Sequence, residues 1–289
     1  MPQLDDPAAW VAAAIQNFCA GPENTLQNQT DESAWARPLV GFSRGDDPLY
    51  IKYKQVVGPF HWTPGEIFAL AFPGTAALPG ELAVISWILP QTKATKANNR
   101  KQKTYPAERW ARSRIFGEAF NDKLRQHVVD ALAEVGYEAV APMLAPQWES
   151  RASERYTFAS TWSERHAAFA AGLGTFGLCD GLITPVGKAM RAGSVVARIG
   201  IPPSARPYTD HRAYCLFFAD ESCGKCIARC PADAITEAGH DKLKCSAHLH
   251  PVTADFVNAN YGFDGYGCGL CQTGVPCESG IPTRQDVQA

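Results

Sequence analysis

The spacing of apolar residues in the N-terminal part of the chain predicts helices that alternate with strands. Residues 7–18 predict a helix led by Asp6, and the mostly apolar segment 83–89, which ends at Pro90, is typical of a buried strand. Residues 106–135 predict a long helix that opens at a proline and closes at Gly136. Its apolar positions recur mostly four apart and are expected to face the core: Trp110, Phe116, Phe120, Leu124, Val128 and Leu132.

Cysteine usage changes along the chain and indicates two domains. Only Cys19 and Cys179 lie in the first part, whereas eight cysteines follow with glycine-rich turns between them. We place the boundary near Pro207, which gives an α/β domain over residues 1–207 and a cysteine-rich domain over residues 208–289. The expected fold class is therefore α+β.

The composition provides enough apolar material for a core. Hydrophobic residues make up 46% of the 289 positions and charged residues 19%, so disulfides are not needed for stability. The most apolar stretch, residues 67–89, is interrupted by prolines, glycines and Glu81, so no membrane span is predicted. The net charge of −2 gives no general attraction to nucleic acid, and no secretory signal is visible, which favours a cytoplasmic protein.

Seven cysteines form an array that is typical of iron-sulfur proteins. The array opens with Cys223-x2-Cys226-x3-Cys230-Pro231 and continues with Cys245, Cys268-x2-Cys271 and Cys277. In such runs two thiolates three residues apart reach different irons of one cluster, and the fourth cysteine usually serves a neighbouring cluster. We therefore expect a first cluster on Cys223, Cys226 and Cys277, and a second on Cys230, Cys245, Cys268 and Cys271.

This division leaves the first cluster one ligand short. The usual run would place a cysteine where Asp220 stands, so we expect Asp220 to complete the first 4Fe-4S cluster through a carboxylate oxygen. Three alternatives stay open: a three-iron cluster, an iron with an open position, and Cys215 reaching back from upstream. Zinc is the main alternative for the whole array, although it has little use for seven interleaved cysteines. Disulfides are disfavoured by the expected reducing compartment.

The segment Gly172-Leu173-Gly174-Thr175-Phe176-Gly177 matches a dinucleotide-binding pattern in the wrong context. A Rossmann turn leaves a strand and opens a helix, whereas these glycines follow a predicted helix over residues 163–171. Thr161 and Glu164 could cap that helix at its start, and Gly172 could end it. Two interpretations stay open for the glycines that follow: a loop lying flat against a planar ligand, or a tight connection without one. These glycines are Gly174, Gly177, Gly181 and Gly187.

The segment from Lys93 to Arg114 is strongly basic, with Glu108 as its only acid. Such a run could bind a phosphate, an anionic cofactor tail or an acidic partner, although charge runs more often form a solvated face. Cys19 is expected to be a buried apolar residue, and Cys179 could be an exposed redox thiol.

Residues 80–277 resemble the epoxyqueuosine reductase family and, more distantly, the iron-sulfur half of corrinoid-dependent reductive dehalogenases. The resemblance rests on the order of the cysteines and on three short stretches: Glu164-Arg165, Ala171-Gly172-Leu173-Gly174 and Leu182-Ile183-Thr184-Pro185. It implies an N-terminal domain of nitroreductase-like and cobalamin-trafficking type that cradles cobalamin, and a ferredoxin-like domain whose two 4Fe-4S clusters supply electrons. The glycine loop would then seat the corrinoid, through Gly172, Leu173, Gly174, Thr175, Gly177, Thr184 and Gly187.

Two departures from the family narrow the expected activity. Family members that reduce epoxyqueuosine use an aspartate as proton donor six residues before the Glu-Arg pair, and this sequence has Phe158 there. The sequence also ends twelve residues after Cys277, before the helical repeats that help tRNA-acting members hold nucleic acid. Reduction of a queuosine precursor on tRNA is therefore not expected, nor is nucleic acid as a partner.

The expected function is an oxygen-sensitive reductase that passes electrons through two clusters to cobalamin, which reduces a small-molecule substrate. Tyr156 is the first candidate proton donor, with Glu164 and His166 behind it, although a structural role is commoner for such residues. The expected electron donor is of ferredoxin or flavodoxin type. The rivals are an electron-transfer module that meets its partner through the basic segment, and a reductase that uses flavin or reduces another protein's corrinoid.

Overall fold

The computed structural model describes residues 4–288. The first three residues of the expected N-terminal domain and the last residue of the expected second domain lie outside the described part. The strands are β1 (Leu39–Arg44), β2 (Ala83–Pro90), β3 (Ala139–Val140), β4 (Ser150–Ser153), β5 (Thr157–Ser160), β6 (Thr175–Phe176), β7 (Leu182–Ile183), β8 (Met190–Ala197), β9 (Ile235–Thr236) and β10 (Gly239–His240). The helices are α1 (Pro7–Ala20), α2 (Pro48–Val56), α3 (Pro64–Ala71), α4 (Lys93–Arg100), α5 (Glu108–Glu134), α6 (Glu164–Ala170), α7 (Leu216–Ala219), α8 (Lys225–Ala228), α9 (Lys242–Ala247), α10 (Ala254–Tyr261) and α11 (Arg284–Gln288).

The N-terminal part is built on a four-stranded antiparallel sheet in the order β1-β2-β8-β3. Strand β2 is buried at every position, which confirms the predicted buried strand. Alternate side chains of a strand face opposite sides of its sheet, and here both sides are apolar. Ile85 and Trp87 enter the core on one side, and Val84 and Ile88 enter the core on the other.

Helices cover both faces of this sheet. Helices α1 and α5 close one face, with Ile15, Phe120 and Leu124 packed around the strand residues. Helices α2, α3 and α6 close the other, where Phe68 and Phe169 contribute large side chains. The mixed α/β character expected of this part is therefore observed as an antiparallel sheet between two helical layers.

The predicted helix boundaries agree closely with the structure, with one exception among the expected core residues of α5. The carboxylate of Asp6 accepts a hydrogen bond from the backbone of Ala9 at 3.0 Å, so it caps α1 as expected. Helix α5 buries the predicted apolar residues except Phe116. The Phe116 ring packs instead against Phe263 of the cysteine-rich part, with the two ring centroids 5.4 Å apart.

The cysteine-rich part shares its core with the segment that precedes Pro207. Leu178, Cys179 and Ile183 pack into one apolar cluster with residues of the second part, namely Cys215, Cys226, Ile235, Val275 and Cys277. The sequence-based boundary at Pro207 therefore separates residues that share one core. Among residues 4–288, no helix is long and apolar enough to cross a membrane.

Candidate iron-sulfur sites

Four cysteines line one small buried cavity. Cys215 precedes α7, Cys226 lies on α8, Cys223 lies in the loop before α8, and Cys277 lies in a short 3-10 helix over Pro276–Glu278. The side chains around them are mainly apolar and include Leu178, Ile183 and Phe217. We call this cavity the first thiol site.

Four other cysteines line a larger cavity of about 230 Å³, which we call the second thiol site: Cys230, Cys245, Cys268 and Cys271. The Cys230 sulfur accepts a hydrogen bond from the backbone of Ala234 at 3.3 Å, and Cys245 lies on α9. Between the last pair, Gly269 has a φ of +64°, and a Cβ atom there would lie 1.9 Å from the Trp110 ring. The structure thus groups seven cysteines as the sequence-based division does.

The eighth position is where the structure departs from the expectation. Asp220 does not line the first thiol site: one carboxylate oxygen accepts a hydrogen bond from Arg284 at 2.6 Å, and the other accepts from the Ser222 hydroxyl at 2.6 Å. These two partners lower the pKa of Asp220. Cys215 lines the first thiol site instead, so the geometry favours this alternative over Asp220.

The thiols surround cavities instead of converging on a point. In the part of the chain that the structure describes, no group of three or more His, Cys, Asp or Glu side chains is arranged to hold a single metal ion. A tetrahedral zinc site needs four ligands at about 2.0–2.3 Å from one centre.

Cys179 and Lys188 lie between the two thiol sites. Cys179 is only 6% exposed and lines the second site, so the suggestion of an exposed redox thiol is wrong. Lys188 is 2% exposed and lines the first site, and its ammonium donates to the Cys179 sulfur at 3.2 Å. Burial alone would lower the pKa of Lys188, but the neighbouring thiols hold it above its ordinary value.

The predicted corrinoid loop is packed against protein. A Cβ atom at Gly172, Gly174 or Gly187 would lie 2.2–2.3 Å from a backbone carbonyl oxygen of another segment. At Gly177 it would lie 3.3 Å from the Ile183 side chain. These glycines are required for close approach of one chain segment to another. The structure therefore agrees with the tight connection that the sequence left open.

The other three residues expected to bind the corrinoid are also occupied internally. Leu173 is 8% exposed, and Thr175 and Thr184 are fully buried. The Thr184 hydroxyl donates to the Gly187 carbonyl at 2.7 Å, and the Thr175 hydroxyl accepts from the backbone of Tyr214 at 2.9 Å. No side chain of this set is free to contact a cofactor, so the assignment of the loop as the corrinoid seat is corrected.

Glu164 is held in a buried ion pair. Its carboxylate accepts from the Arg125 guanidinium at 3.1 Å and from the hydroxyl of Ser194. Burial raises the pKa of Glu164, and Arg125 opposes that effect. Glu164 therefore joins α6 to α5 and does not line either thiol site.

Tyr156 and His166 also do not line either thiol site. Tyr156 is in the turn between β4 and β5, with the Lys242 ammonium 5.1 Å from its ring centre. His166 places Nδ1 2.8 Å from the Ser163 hydroxyl and packs its ring 4.7 Å from that of Tyr53. Burial lowers the pKa of His166, which keeps its imidazole neutral. None of the three candidate proton donors therefore lines a thiol site.

Sequence reasoning missed the non-cysteine wall of the second thiol site. That wall includes Trp35, Gln91, Trp110, Arg114, Arg165 and Arg191. His240 also belongs to it; its Nδ1 lies 3.1 Å from Asp180, whose carboxylate raises the pKa of His240 to about 10. Arg114 had a signal in the basic segment, whereas the others are single residues from distant parts of the chain.

A corrinoid does not fit within the second thiol site beside a cluster. Small-molecule pockets usually measure about 300–1,000 Å³, whereas this cavity measures about 230 Å³ and already has four thiols in its wall. The volume suits the cluster itself. The second thiol site therefore has no room for a corrinoid as an electron acceptor.

The basic segment binds the cysteine-rich part of the same chain. The Arg100 guanidinium pairs with Glu278 at 2.5 Å, and the Lys96 ammonium donates to Ser279 at 2.8 Å. Arg114 donates to the Tyr266 hydroxyl at 2.6 Å. These cations are used inside the molecule, which removes the main argument for this segment as the docking face of an electron-transfer module.

These features define a class: a protein with two buried sets of cysteines, packed against an α/β sheet domain. Comparison with known proteins then confirms the resemblance to epoxyqueuosine reductases. A 125-residue stretch is 33% identical to the epoxyqueuosine reductase of Bacillus anthracis and covers 41% of this chain and 30% of that protein. The match thus spans under a third of that relative's length. No family model matches the chain.

Solved structures that align with this chain include epoxyqueuosine reductases and reductive dehalogenases. An epoxyqueuosine reductase with a tRNA-Tyr stem loop aligns with a TM-score of 0.50 at 16% identity, over 96% of this chain and 67% of that one. A catabolic reductive dehalogenase aligns with a TM-score of 0.49 at 14% identity, over 97% and 38% of the two chains. Because one neighbour is bound to tRNA, the expectation that nucleic acid is not a partner gains no support.

Proposed function

We propose that this chain is an iron-sulfur oxidoreductase that carries two 4Fe-4S clusters and passes electrons from one to the other. The carrying observation is that four buried or half-buried cysteines line the first cavity, and that four others line the second cavity together with Cys179. Four thiolates are the usual ligand set of a 4Fe-4S cluster. The two sites meet at Cys179, which lines the second site and packs in one apolar cluster with Cys226 of the first.

We assign Cys215 as the fourth ligand of the first cluster. Its thiolate takes the place of the carboxylate ligand expected from the sequence, so both clusters have all-cysteine coordination. A three-iron cluster or an open iron position is then not needed. The apolar wall of the first site excludes water, which together with ligand type sets the reduction potential.

The proposal includes cobalamin as electron acceptor and a small molecule as substrate, on the strength of the resemblance alone. The relatives are reductases, and one dehalogenase neighbour is described as carrying out B12-dependent dehalogenation. Since the glycine loop and the second thiol site offer no corrin seat, any such seat lies elsewhere. Cobalt content after anaerobic expression with added cobalamin tests this part: about one cobalt per chain supports it, and none contradicts it.

Selective removal of each cluster tests the two-cluster proposal. Cys215→Ala is expected to disturb only the first cluster, and Cys245→Ala only the second. Electron paramagnetic resonance of the dithionite-reduced protein should then show one cluster signal changed and the other retained. Cys19→Ala is the matched control, because Cys19 is a buried residue of α1 that lines neither thiol site. Identical spectra for Cys215→Ala and Cys19→Ala would contradict the assignment of Cys215.

A further inference from the structure

The backbone conformation around Lys188 directs its side chain into the space between the two thiol sites. Its own backbone N–H donates to the Cys277 carbonyl at 2.8 Å, which ties this position to a ligand of the first site. The preceding Gly187 has a φ of +92°, a conformation that L side chains rarely adopt. The direction of Lys188 is therefore set by the turn that brings this chain segment onto Cys277.

A second glycine leaves room for the lysine stem. A Cβ atom at Gly181 would lie 2.9 Å from both Cγ and Cδ of Lys188, so a side chain there would displace it. The stem crosses Gly181, which lines the second thiol site, and ends with its ammonium 3.2 Å from the Cys179 sulfur. The cation thus reaches from the wall of the first site to a thiol in the wall of the second.

A buried ammonium is costly unless opposite charge surrounds it. Lys188 is 2% exposed and lines the first thiol site together with Cys226 and Cys277. Its ammonium lies 3.2 Å from the sulfur of Cys179, which lines the second site together with Cys271. A 4Fe-4S cluster with four thiolates carries net negative charge, and adding an electron increases it. A fixed cation beside both clusters therefore stabilises their reduced states more than their oxidised states.

We propose that Lys188 is the residue that raises the reduction potentials of both clusters, acting by its charge from a buried position between them. This inference rests on the proposed two-cluster function. Lys188 holds no substrate and ligates no iron; it makes the one-electron reduction of each cluster more favourable.

Redox titration monitored by electron paramagnetic resonance tests the inference on the intact, anaerobically purified protein. Lys188→Met removes the charge and keeps the length of the side chain, and Lys188→Arg keeps the charge. For Lys188→Met we expect the equilibrium constant for one-electron reduction of each cluster to fall about tenfold, which is 59 mV for a one-electron couple. Lys188→Arg should stay within about twofold of the wild type. Unchanged potentials in Lys188→Met at full iron content would overturn the inference.

Two further measurements distinguish an effect of the Lys188 charge on the clusters from a counterion role for Cys179 and from a role in cluster assembly. If Lys188 serves only as the counterion of Cys179, then Lys188→Met will have no effect in a Cys179→Ala background, and the inference fails. Loss of iron from Lys188→Met and Lys188→Gln, with full iron in Lys188→Arg, would also overturn it in favour of a role in cluster assembly. Absence of clusters from the wild-type protein would contradict the proposed function itself, which is a different result from a silent lysine.

Discussion

Replacement of Arg125 by methionine should destabilise the protein strongly, because this guanidinium is the centre of a buried ionic network. Arg125 is 1% exposed and contacts three carboxylates: Asp122 at 2.5 Å, Glu164 at 3.1 Å and Glu118 at 3.2 Å. Removing one partner of a buried ion pair usually costs about 3–5 kcal/mol, since the remaining charge is left uncompensated. Glu118 keeps a second partner in Arg191 at 2.5 Å, so we expect the lower end, about 3 kcal/mol.

Lys123→Met is the matched control on the same helix. Lys123 pairs with Glu23, and the two side chains are 60% and 50% exposed. An exposed pair of this kind contributes less than about 1 kcal/mol. At about 2–4 °C per kcal/mol, anaerobic thermal unfolding should show a midpoint about 6–12 °C lower for Arg125→Met and within about 4 °C of the wild type for Lys123→Met.

The same experiment tests whether Glu164 is structural. Glu164→Gln should lower the midpoint less than Arg125→Met does, because it removes a carboxylate whose burial opposes ionisation and leaves Arg125 with two others. Cluster signals should be unchanged in both variants. Equal midpoints for Arg125→Met and Lys123→Met would refute the reasoning, and so would loss of cluster signals from a stably folded Glu164→Gln protein.

Three further predictions follow from other parts of the structure. Burial lowers the pKa of His61 to about 4, so its contribution of about 3 kcal/mol is complete above pH 6.5 and is lost as the pH falls toward 4; His61→Phe should flatten this part of the stability profile measured by thermal unfolding. A Cβ atom at Gly193 would lie 2.4 Å from the Trp87 ring, so Gly193→Ala should cost about 1–3 kcal/mol by overpacking, whereas Gly200→Ala, with nothing within 4 Å, should leave the unfolding midpoint in place. Asp220→Asn should leave iron content and the resonance spectrum unchanged, and loss of the first cluster signal would restore Asp220 as a ligand.

Elements defined by local pattern could be predicted from the sequence. Strand β2 is apolar at nearly every position because both its faces are buried. Helix α5 shows four-residue spacing because one stripe of its side chains packs on the sheet. The order of the strands could not be predicted in this way. Strand β8 lies between β2 and β3 although it follows both in sequence, and no local signal encodes that pairing.

The misassignments at the site have physical reasons as well. Glycine spacing does not reveal what approaches the backbone, and at Gly172 and Gly187 the neighbour is another chain segment, not a ligand. The fourth ligand of the first site was expected at the usual spacing, but α7 brings Cys215 to the cavity from farther upstream. Cys179 looked isolated because its neighbours come from distant positions in the chain.

The most direct test of the account is the iron and acid-labile sulfide content of the wild-type protein, purified without oxygen and reconstituted. Two 4Fe-4S clusters on the two thiol sites require about eight irons and eight sulfides per chain. A content near eight of each, with reduced-state signals from two clusters, is the predicted result. About four of each, or zinc without sulfide, would contradict the assignment of two electron-carrying clusters to this chain.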